Sequence, residues 1–225
     1  MVNAASALKE QTLNIEQNDD GWEVRLLPPA KIDMMRLRIP AERFEGNEKG
    51  EMFAVDAVRL QKALNVCGDV IDLTVTDRVT VKGEGVKMVI PRIDPETVNK
   101  FPALDGLDTE VVMSSDELRR MSDASPDDAV SMTISVNAEG VVMVSADDIS
   151  VSSAEIGLPA DKCVMCEGEA KGTYAWLPLR GFLKGIPKGG DVDVRMAENY
   201  PMVIRFETEG GLTGEYMLAP WIVEE

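Results

Sequence analysis

Histidine is absent from the 225 residues, and this excludes several classes of enzyme at once. Histidine is the base of Ser-His and Cys-His nucleophile arrangements and the commonest ligand of zinc and iron sites. An enzyme would therefore have to use carboxylate or lysine chemistry. Cysteine is also scarce, because Cys67, Cys163 and Cys166 form an odd and sparse set. Such a set is typical of a reducing compartment and not of a disulfide framework.

Long apolar runs and basic residues are the other two shortages. No apolar run approaches the roughly 20 residues of a membrane span, and the amino end lacks the basic start and apolar core of a signal peptide. We therefore expect a soluble protein of the cytoplasm. The 23 Lys and Arg residues face 40 Asp and Glu residues, which leaves a net charge of -17. This balance is typical of halophilic proteins and opposes a nucleic-acid partner unless the cations are segregated on one face.

The apolar residues, 44% of the chain, suffice for one large domain or for two domains of about 100 residues each. Alternation of apolar and polar positions predicts many strands, among them 34–39, 70–75, 78–82, 86–90, 131–136, 141–146 and 149–156. Helices are predicted over 4–11, from the cap Asp56 to Asn65, from the capping box at Ser114 to Ser122, and around Arg180. We therefore assign the chain to the α+β class.

The second half of the sequence repeats the first. A constant offset of 121 relates Phe53 to Tyr174 and Arg59 to Arg180. The strands that close the two halves also share residue types, with Met88 and Met217 in corresponding places. One unit of a helix and hairpins is therefore used twice. We place the domains at 1–92 and 109–225, joined by a proline-rich connecting segment at 93–108.

Two kinds of motif have possible chemical roles. Cys163-Val-Met-Cys166 has the spacing of half a zinc ribbon, but no second pair and no histidine complete it. Small buried side chains on a strand are the better interpretation. Asp pairs at 19–20, 127–128 and 147–148 fit an acidic β-rich hydrolase, yet each lies in a predicted turn, where aspartate is common. We expect no enzyme activity, no metal and no cofactor.

Pro220 interrupts the apolar carboxyl end of the chain. Tyr216 to Leu218 end a strand, and Pro220 then removes a backbone donor, so the stretch around Trp221 should leave the sheet as a short exposed arm. Basic residues gather elsewhere, in or beside the four predicted helices. If these helices line one side of the molecule, that side is cationic while the remainder is anionic.

Three segments resemble the sliding clamps of the proliferating cell nuclear antigen (PCNA) family, of archaeal or archaeal-virus type. They are Leu27-Pro-Pro-Ala-Lys-Ile-Asp-Met-Met-Arg-Leu37, Ile186-Pro-Lys188 and Tyr216-Met-Leu-Ala-Pro-Trp-Ile222, in the family's order and spacing. The resemblance implies the DNA clamp fold, in which two similar domains have antiparallel sheets outside and two helices inside. It also implies a homotrimeric ring with pseudo-six-fold symmetry. Two departures are a first strand that is missing before Met1 and Trp221, which stands where the family often has a basic residue.

By this resemblance the protein is a polymerase processivity factor. It would encircle duplex DNA without sequence preference and tether DNA polymerase, clamp loader, nuclease and ligase through short client motifs. An alternative is a divergent or accessory clamp-like protein that binds clients or another clamp without forming a closed ring.

The same resemblance implies three sets of site residues. Those that would face DNA are Lys9, Arg59, Lys62, Arg119, Arg120, Arg180, Lys184 and Lys188. The client-peptide pocket would be formed by Leu27, Ile32, Met34, Phe101, Leu104, Leu107, Pro201, Met217, Ala219, Pro220 and Ile222. Subunits would pair edge to edge through Val86, Met88 and Ile90 of one chain and Ile149, Val151 and Ser153 of the next.

Overall fold

The computed structural model describes residues 12–26, 32–46, 49–68, 70–95, 101–146 and 153–221. The predicted helix at 4–11 lies outside these ranges. The helices within them are α1 (Ala57–Cys67), α2 (Ser115–Asp123) and α3 (Trp176–Gly185). The strands are β1 (Thr12–Asn18), β2 (Gly21–Leu26), β3 (Asp33–Pro40), β4 (Phe53–Asp56), β5 (Asp72–Val75), β6 (Arg78–Gly83), β7 (Val86–Pro91), β8 (Thr109–Ser114), β9 (Ser131–Asn137), β10 (Gly140–Ala146), β11 (Ala154–Pro159), β12 (Met165–Glu167), β13 (Ala170–Ala175), β14 (Asp191–Met196), β15 (Met202–Glu207) and β16 (Thr213–Leu218).

The first turns of α1 and α2 follow local capping signals. Asp56 caps α1 by accepting a hydrogen bond from the backbone N–H of Arg59 at 2.8 Å. Ser114 caps α2 by accepting one from the N–H of Asp116 at 3.1 Å. Because such a cap involves residues only two or three positions apart, the sequence predicted both helix starts. The predicted helix ends fell within two residues of the ones observed.

Two glycines mark the same turn in the two halves of the chain. Gly21 and Gly140 adopt φ angles of +126° and +136°, which disfavour any residue with a side chain. A Cβ atom there would lie 2.0 Å from the carbonyl oxygen of Ile39 and 2.2 Å from that of Leu158. The predicted duplication is therefore present in the backbone, while the domain boundaries at 92–93 and 108–109 stay a prediction.

One sheet of nine strands joins the two halves, in the order β12-β8-β14-β15-β16-β3-β2-β1-β4. β16 and β3 pair antiparallel within it, from Thr213 opposite Arg38 to Leu218 opposite Asp33. A three-stranded sheet, β5-β6-β7, and a four-stranded sheet, β11-β10-β9-β13, complete the architecture. Antiparallel sheets packed against a few helices confirm the predicted α+β class.

Two strands differ in their bounds from the predicted ones. The part of the strand predicted at 149–156 that the structure describes is β11, which begins at Ala154 opposite Ser145 of β10 and runs on to Pro159, while residues 149–152 lie outside the described ranges. β5 begins at Asp72 and not at Val70, whose side chain is 85% exposed and so packs against almost nothing. Within the described ranges, no helix has the length and apolar character of a membrane span.

Candidate DNA-facing and client-binding surfaces

α3 packs on one face of the nine-stranded sheet through stacked aromatic rings. The ring centroids of Phe182 and Tyr216 lie 4.1 Å apart, with the ring planes 7° from parallel, and Phe182 also contacts Phe206 at 6.3 Å. Successive residues of a strand point to opposite faces, so Glu215 and Met217 lie on the face away from α3. The sheet therefore separates a helical surface from an outer surface.

Four of the predicted DNA-facing residues are exposed cations. Arg59 and Lys62 project from α1, Lys184 projects from the last turn of α3, and Lys188 follows it. None of these four side chains takes part in an ion pair within the described ranges of the chain. They are therefore available to an external anion.

Three other predicted DNA-facing cations have hydrogen-bond or ion-pair partners within the chain. Arg119 donates to the carbonyl oxygens of Lys184 at 3.2 Å and of Ile186, so it caps the carboxyl end of α3. This geometry corrects the prediction that the Arg119 guanidinium is free to face DNA. Arg120 pairs with Glu117 at 2.7 Å, and Arg180 pairs with Asp127. Lys9 lies outside the described residues.

α2 is less cationic than its arginines suggested. Its first turn carries Asp116 and Glu117, and its last residue is Asp123. These acids outnumber the two arginines of the helix, so α2 adds no net positive charge to the helical surface. A count of basic residues alone does not give the net charge of α2, although two of the acids, Asp116 and Glu117, belong to its capping box.

An apolar row crosses the outer face of the nine-stranded sheet. Pairing between the strands places Val203 of β15 opposite Met217 of β16, and Met217 opposite Met34 of β3. Ile32, which is 42% exposed, precedes β3, and its carbonyl accepts a hydrogen bond from Ala219 N–H at 2.8 Å. We call these five residues the outer apolar row. Leu27 and Ile222, which were predicted to lie beside it, are outside the described residues.

The carboxyl arm is attached to a second sheet, in contrast to the free arm that we expected. After Leu218 the chain leaves β16, and Pro220 forms an isolated bridge to Tyr174 of β13. The N–H of Trp221 donates to the carbonyl of Thr173 at 2.6 Å, and the Trp221 side chain is 43% exposed. Pro220 thus ends one strand pairing, as predicted, but the backbone after it finds another partner.

Phe101 brings the connecting segment to the outer surface. The guanidinium carbon of Arg36 lies 4.8 Å from the centroid of the Phe101 ring, a cation–π contact. Pro201 directly precedes Met202, which pairs with Leu218, so it lies at the same end of the sheet as Ala219. Leu104 and Leu107 are half-buried, and their place in a pocket stays a prediction.

A ladder of ion pairs borders the outer apolar row. Glu215 of β16 accepts from Arg205 of β15 at 2.9 Å and also pairs with Arg36 of β3. The neighbouring Arg38 and Arg25 both pair with Glu23 of β2. The ladder therefore ties the two halves together where β16 meets β3. The alternation of apolar residues and arginines along β3 predicted a solvent-exposed face, but it did not predict which acidic residues pair with the arginines.

The whole chain is similar to archaeal sliding clamps. The DNA polymerase sliding clamp of Haloarcula marismortui is 26% identical and aligns over 94% of this chain and 90% of its own, and that of Methanothrix thermoacetophila is 25% identical over 100% and 94%. PCNA of Archaeoglobus fulgidus, solved with the C-terminal region of FEN-1, has a TM-score of 0.84 at 25% identity, covering 100% of this chain and 94% of that one. In both sequence and fold, the chain is similar over nearly its whole length to the sliding clamps of the PCNA family. No family model matches the sequence.

A more distant clamp shows how widely this fold is shared. The PCNA2–PCNA3 complex of Sulfolobus tokodaii has a TM-score of 0.82 at 16% identity, covering 97% of this chain and 93% of that one. At that identity the likeness concerns the clamp fold alone. The two halves joined by β16 and β3 are therefore the two similar units of a clamp fold.

Two strands of this clamp chain form the outermost members of their sheets. β7 ends the three-stranded sheet and β11 ends the four-stranded sheet, so each has one edge that the described residues leave unpaired. Val86 is exposed and Met88 is half-buried, so both side chains are accessible to a neighbouring subunit. Ile90 is only 1% exposed, so its side chain belongs to the core, which corrects its prediction as a contact residue. Ser153 is exposed just before β11, while Ile149 and Val151 lie outside the described residues.

The remaining motifs are placed by the clamp fold in surface positions. Cys163 follows a short 3-10 turn at Ala160–Lys162, and Cys166 lies in the edge strand β12, so the two thiols are half-exposed and not buried as we expected. The exposed carboxylate of Asp127 pairs with Arg180. The ranges that the structure describes contain no group of three or more residues suited to hold a metal ion.

Asp33 and Tyr216 form a buried pair where the two halves of the clamp chain meet. The Tyr216 hydroxyl donates to Asp33 Oδ2 at 3.3 Å, and Asp33 is only 3% exposed. Burial raises the pKa of Asp33 from its ordinary 3.8 to about 6, against the lowering effect of its hydrogen bonds from Tyr216 and from its own backbone. Burial also raises the pKa of Tyr216. The carboxylate therefore destabilises the fold once it is ionised.

The variant Asp33→Asn should be more stable than the parent above pH 6. In the folded state the raised pKa keeps the proton on Asp33 between about pH 4 and pH 6, whereas the unfolded state has lost it, so the free energy of unfolding falls as pH rises through this window. A displacement from 3.8 to about 6 corresponds to about 3 kcal/mol. Urea unfolding at about pH 4 and pH 8 should show that gain at the higher pH only. The exposed Asp72→Asn is the matched control, and a gain independent of pH would contradict the assigned cause.

Proposed function

We propose that the protein is a DNA sliding clamp, a non-enzymatic processivity factor that acts in the cytoplasm by encircling duplex DNA and tethering replication and repair enzymes. One observation carries the proposal within this family. The exposed Lys184 lies on the helical side of the nine-stranded sheet, and the outer apolar row lies on the other side. One sheet thus offers a cationic surface for DNA and an apolar surface for proteins.

The ring is proposed to close through the edge strands β7 and β11. If β7 of one subunit pairs with β11 of the next, each subunit offers two different edges, and a head-to-tail contact of this kind generates a ring when the rotation from subunit to subunit closes after three copies. Edge pairing would also satisfy backbone N–H and carbonyl groups that β7 and β11 leave open. Three copies would then place the helices inside and the outer apolar rows outside.

The contact with DNA is proposed to be weak and independent of sequence. Arg59, Lys62, Lys184 and Lys188 would meet phosphate groups, which carry no sequence information. Among the predicted DNA-facing residues that the structure describes, these four cations are free of ion pairs, and on a chain of net charge -17 they would not hold DNA tightly by themselves. Enclosure would therefore keep the protein on DNA, and the scarcity of cations would let it slide.

The outer apolar row is proposed as the docking site for client proteins. The PCNA of A. fulgidus was solved with the C-terminal region of FEN-1, so a solved relative binds a short protein segment. A short helical segment with apolar anchors would contact the partly exposed Ile32 and Met34, and Val203 and Met217, which are 2% and 7% exposed, would form the floor beside them. DNA polymerase, a clamp loader, nuclease and ligase are the partners that we propose for it.

Retention on DNA should depend on the topology of the DNA. The protein would be loaded onto a nicked circular plasmid with an archaeal clamp loader and ATP, and the complex isolated by gel filtration. Cutting the plasmid once should release nearly all of the bound protein, because a ring slides off a free end. Protein retained by direct binding would stay on the linear product.

A variant with fewer cations separates enclosure from affinity in this experiment. Lys62→Gln with Lys184→Gln, once loaded, should remain on the circle and leave on cutting, as the unchanged protein does. If the variant leaves the uncut circle, or if cutting releases neither protein, phosphate affinity and not enclosure holds the protein on DNA, and the proposed function is wrong.

A further inference from the structure

Two aromatic side chains, those of Tyr200 and Trp221, are exposed at the end of the outer apolar row. Their exposed fractions are 38% and 43%. Met202 of β15 lies opposite Leu218 of β16, so the same pairing continued by two residues places Tyr200 beside Pro220. The two aromatic residues therefore start from neighbouring stretches of backbone, at the end of the sheet where Ala219 meets the row.

Both stretches are attached to the edge of β13. The N–H of Asn199 donates to the carbonyl of Lys171 at 2.9 Å, and the N–H of Trp221 donates to the carbonyl of Thr173 at 2.6 Å. Carbonyl groups two residues apart on a strand point to the same edge and lie about 7 Å from each other. The residue before Tyr200 and the backbone of Trp221 are therefore held side by side on one strand.

The backbone of Tyr200 is fixed by a buried side chain. The hydroxyl of Tyr174, a fully buried residue, donates to the Tyr200 carbonyl at 3.0 Å. The Tyr174 ring lies over Gly172, where a Cβ atom would come within 2.5 Å of the hydroxyl oxygen, so glycine leaves room for the ring. Pro201 also restricts Tyr200 to extended backbone angles. The exposed ring of Tyr200 is thus presented from a fixed backbone.

A carboxylate lies at the same edge as the two rings. Glu198 is exposed, and its side chain accepts a hydrogen bond from the N–H of Lys171 at 2.9 Å. The face of an aromatic ring attracts a cation, and a nearby carboxylate adds to this attraction. The net charge of -17 also favours the approach of a cationic partner. These features together suit a cationic side chain.

We propose that Tyr200 and Trp221 form an aromatic platform that binds an arginine of a client protein, next to the apolar anchors on the outer apolar row. This inference rests on the client site proposed above and adds a requirement for charge to it. Arginine suits the platform better than lysine, because its planar guanidinium stacks on aromatic rings and is more weakly hydrated than an ammonium group. Tryptophan gives the strongest cation–π attraction of the aromatic side chains.

The test uses calorimetry with peptides from the C-terminal region of A. fulgidus FEN-1. One set of peptides carries a single arginine at successive positions on either side of the apolar anchors. The matched set carries citrulline, which keeps the planar shape of the side chain but has no charge. At one position or at two neighbouring positions, the arginine peptide should bind about fivefold more tightly than its citrulline partner.

A protein variant assigns this preference to the two rings. Tyr200→Leu with Trp221→Leu keeps apolar side chains and should bring the ratio of the arginine and citrulline affinities close to one. The hydrogen bonds of both residues described above use backbone atoms, so the variant retains them. Leu177→Ala is the control, because it removes an exposed apolar side chain from α3, on the other side of the sheet, and should keep the arginine preference.

Three results would overturn the platform, and they are distinguishable from each other. Equal affinities for arginine and citrulline at every position would remove the platform but leave the client site in place. An arginine preference that survives in the double leucine variant would show that the general negative charge, and not the two rings, attracts the peptide. If no peptide of either set binds, the proposed client site is itself wrong, and the platform is wrong with it.

Discussion

The double variant Val86→Asp with Val89→Asp should be a monomer in solution, with one third of the mass of the unchanged protein. Both side chains lie on the outermost strand β7 and are 36% and 47% exposed, so the folded chain tolerates their replacement. Pairing with β11 would bring the new carboxylates close to the exposed Glu155. Charged residues on an edge strand oppose edge-to-edge pairing.

Light scattering coupled to gel filtration measures this effect directly. Val86→Thr with Val89→Thr is the matched control, because threonine keeps the preference for a strand and adds no charge. The control should remain a trimer, and added salt should partly restore the trimer of the Asp variant by screening the repulsion. A variant that stays trimeric would show that β7 is not at the interface. An unchanged protein that is a monomer at every salt concentration would instead favour the accessory clamp-like alternative.

The double variant Ile32→Ala with Met34→Ala should bind a client peptide roughly a hundredfold more weakly. Both residues belong to the outer apolar row, and both are partly exposed, so their truncation removes contact area without opening the core. Met217 is a poorer choice because it is only 7% exposed, and its truncation would also destabilise the sheet. The probe is a peptide from the C-terminal region of A. fulgidus FEN-1, and calorimetry measures its affinity.

Val112→Ala is the matched control for the peptide experiment. Val112 of β8 lies opposite Asp193 of β14, and the same row across the sheet continues through Arg205 to Glu215 of the ion-pair ladder. Val112 therefore lies on the outer face, as Met34 does, but three strands away from β16. Its truncation should leave peptide affinity within about threefold of the starting value. If the Ile32 and Met34 variant also stays within that limit while remaining a trimer, the outer apolar row is not the client pocket.

Much of the candidate site was predictable because its residues lie in segments with strong local patterns. Lys62 and Lys184 occupy exposed helix positions, as the sequence predicts, and Met34 and Met217, which the sequence predicts for one pocket, are paired across β3 and β16. The prediction failed for Arg119, whose partners at Lys184 and Ile186 lie more than 60 residues away. A basic residue on a helix face has the same sequence pattern whether it faces solvent or caps another helix.

The sequence by itself determined the local structure and the duplication of this protein. Asp56 and Ser114 start helices by contacts within three residues, and Gly21 and Gly140 are required by the backbone of the same turn in both halves. Such features depend on near neighbours in the chain, which are present in any conformation of the segment.

Only the tertiary structure decided how the two halves combine. The hydrogen bond between Asp33 and Tyr216 joins residues 183 positions apart, and it exists because β3 and β16 pair in one register. The same register aligns Met34 with Met217 and Arg36 with Glu215, which creates the outer apolar row and its border of ion pairs. A shift of one residue would turn every one of these side chains to the other face, so the site depends on long-range pairing that local patterns do not encode.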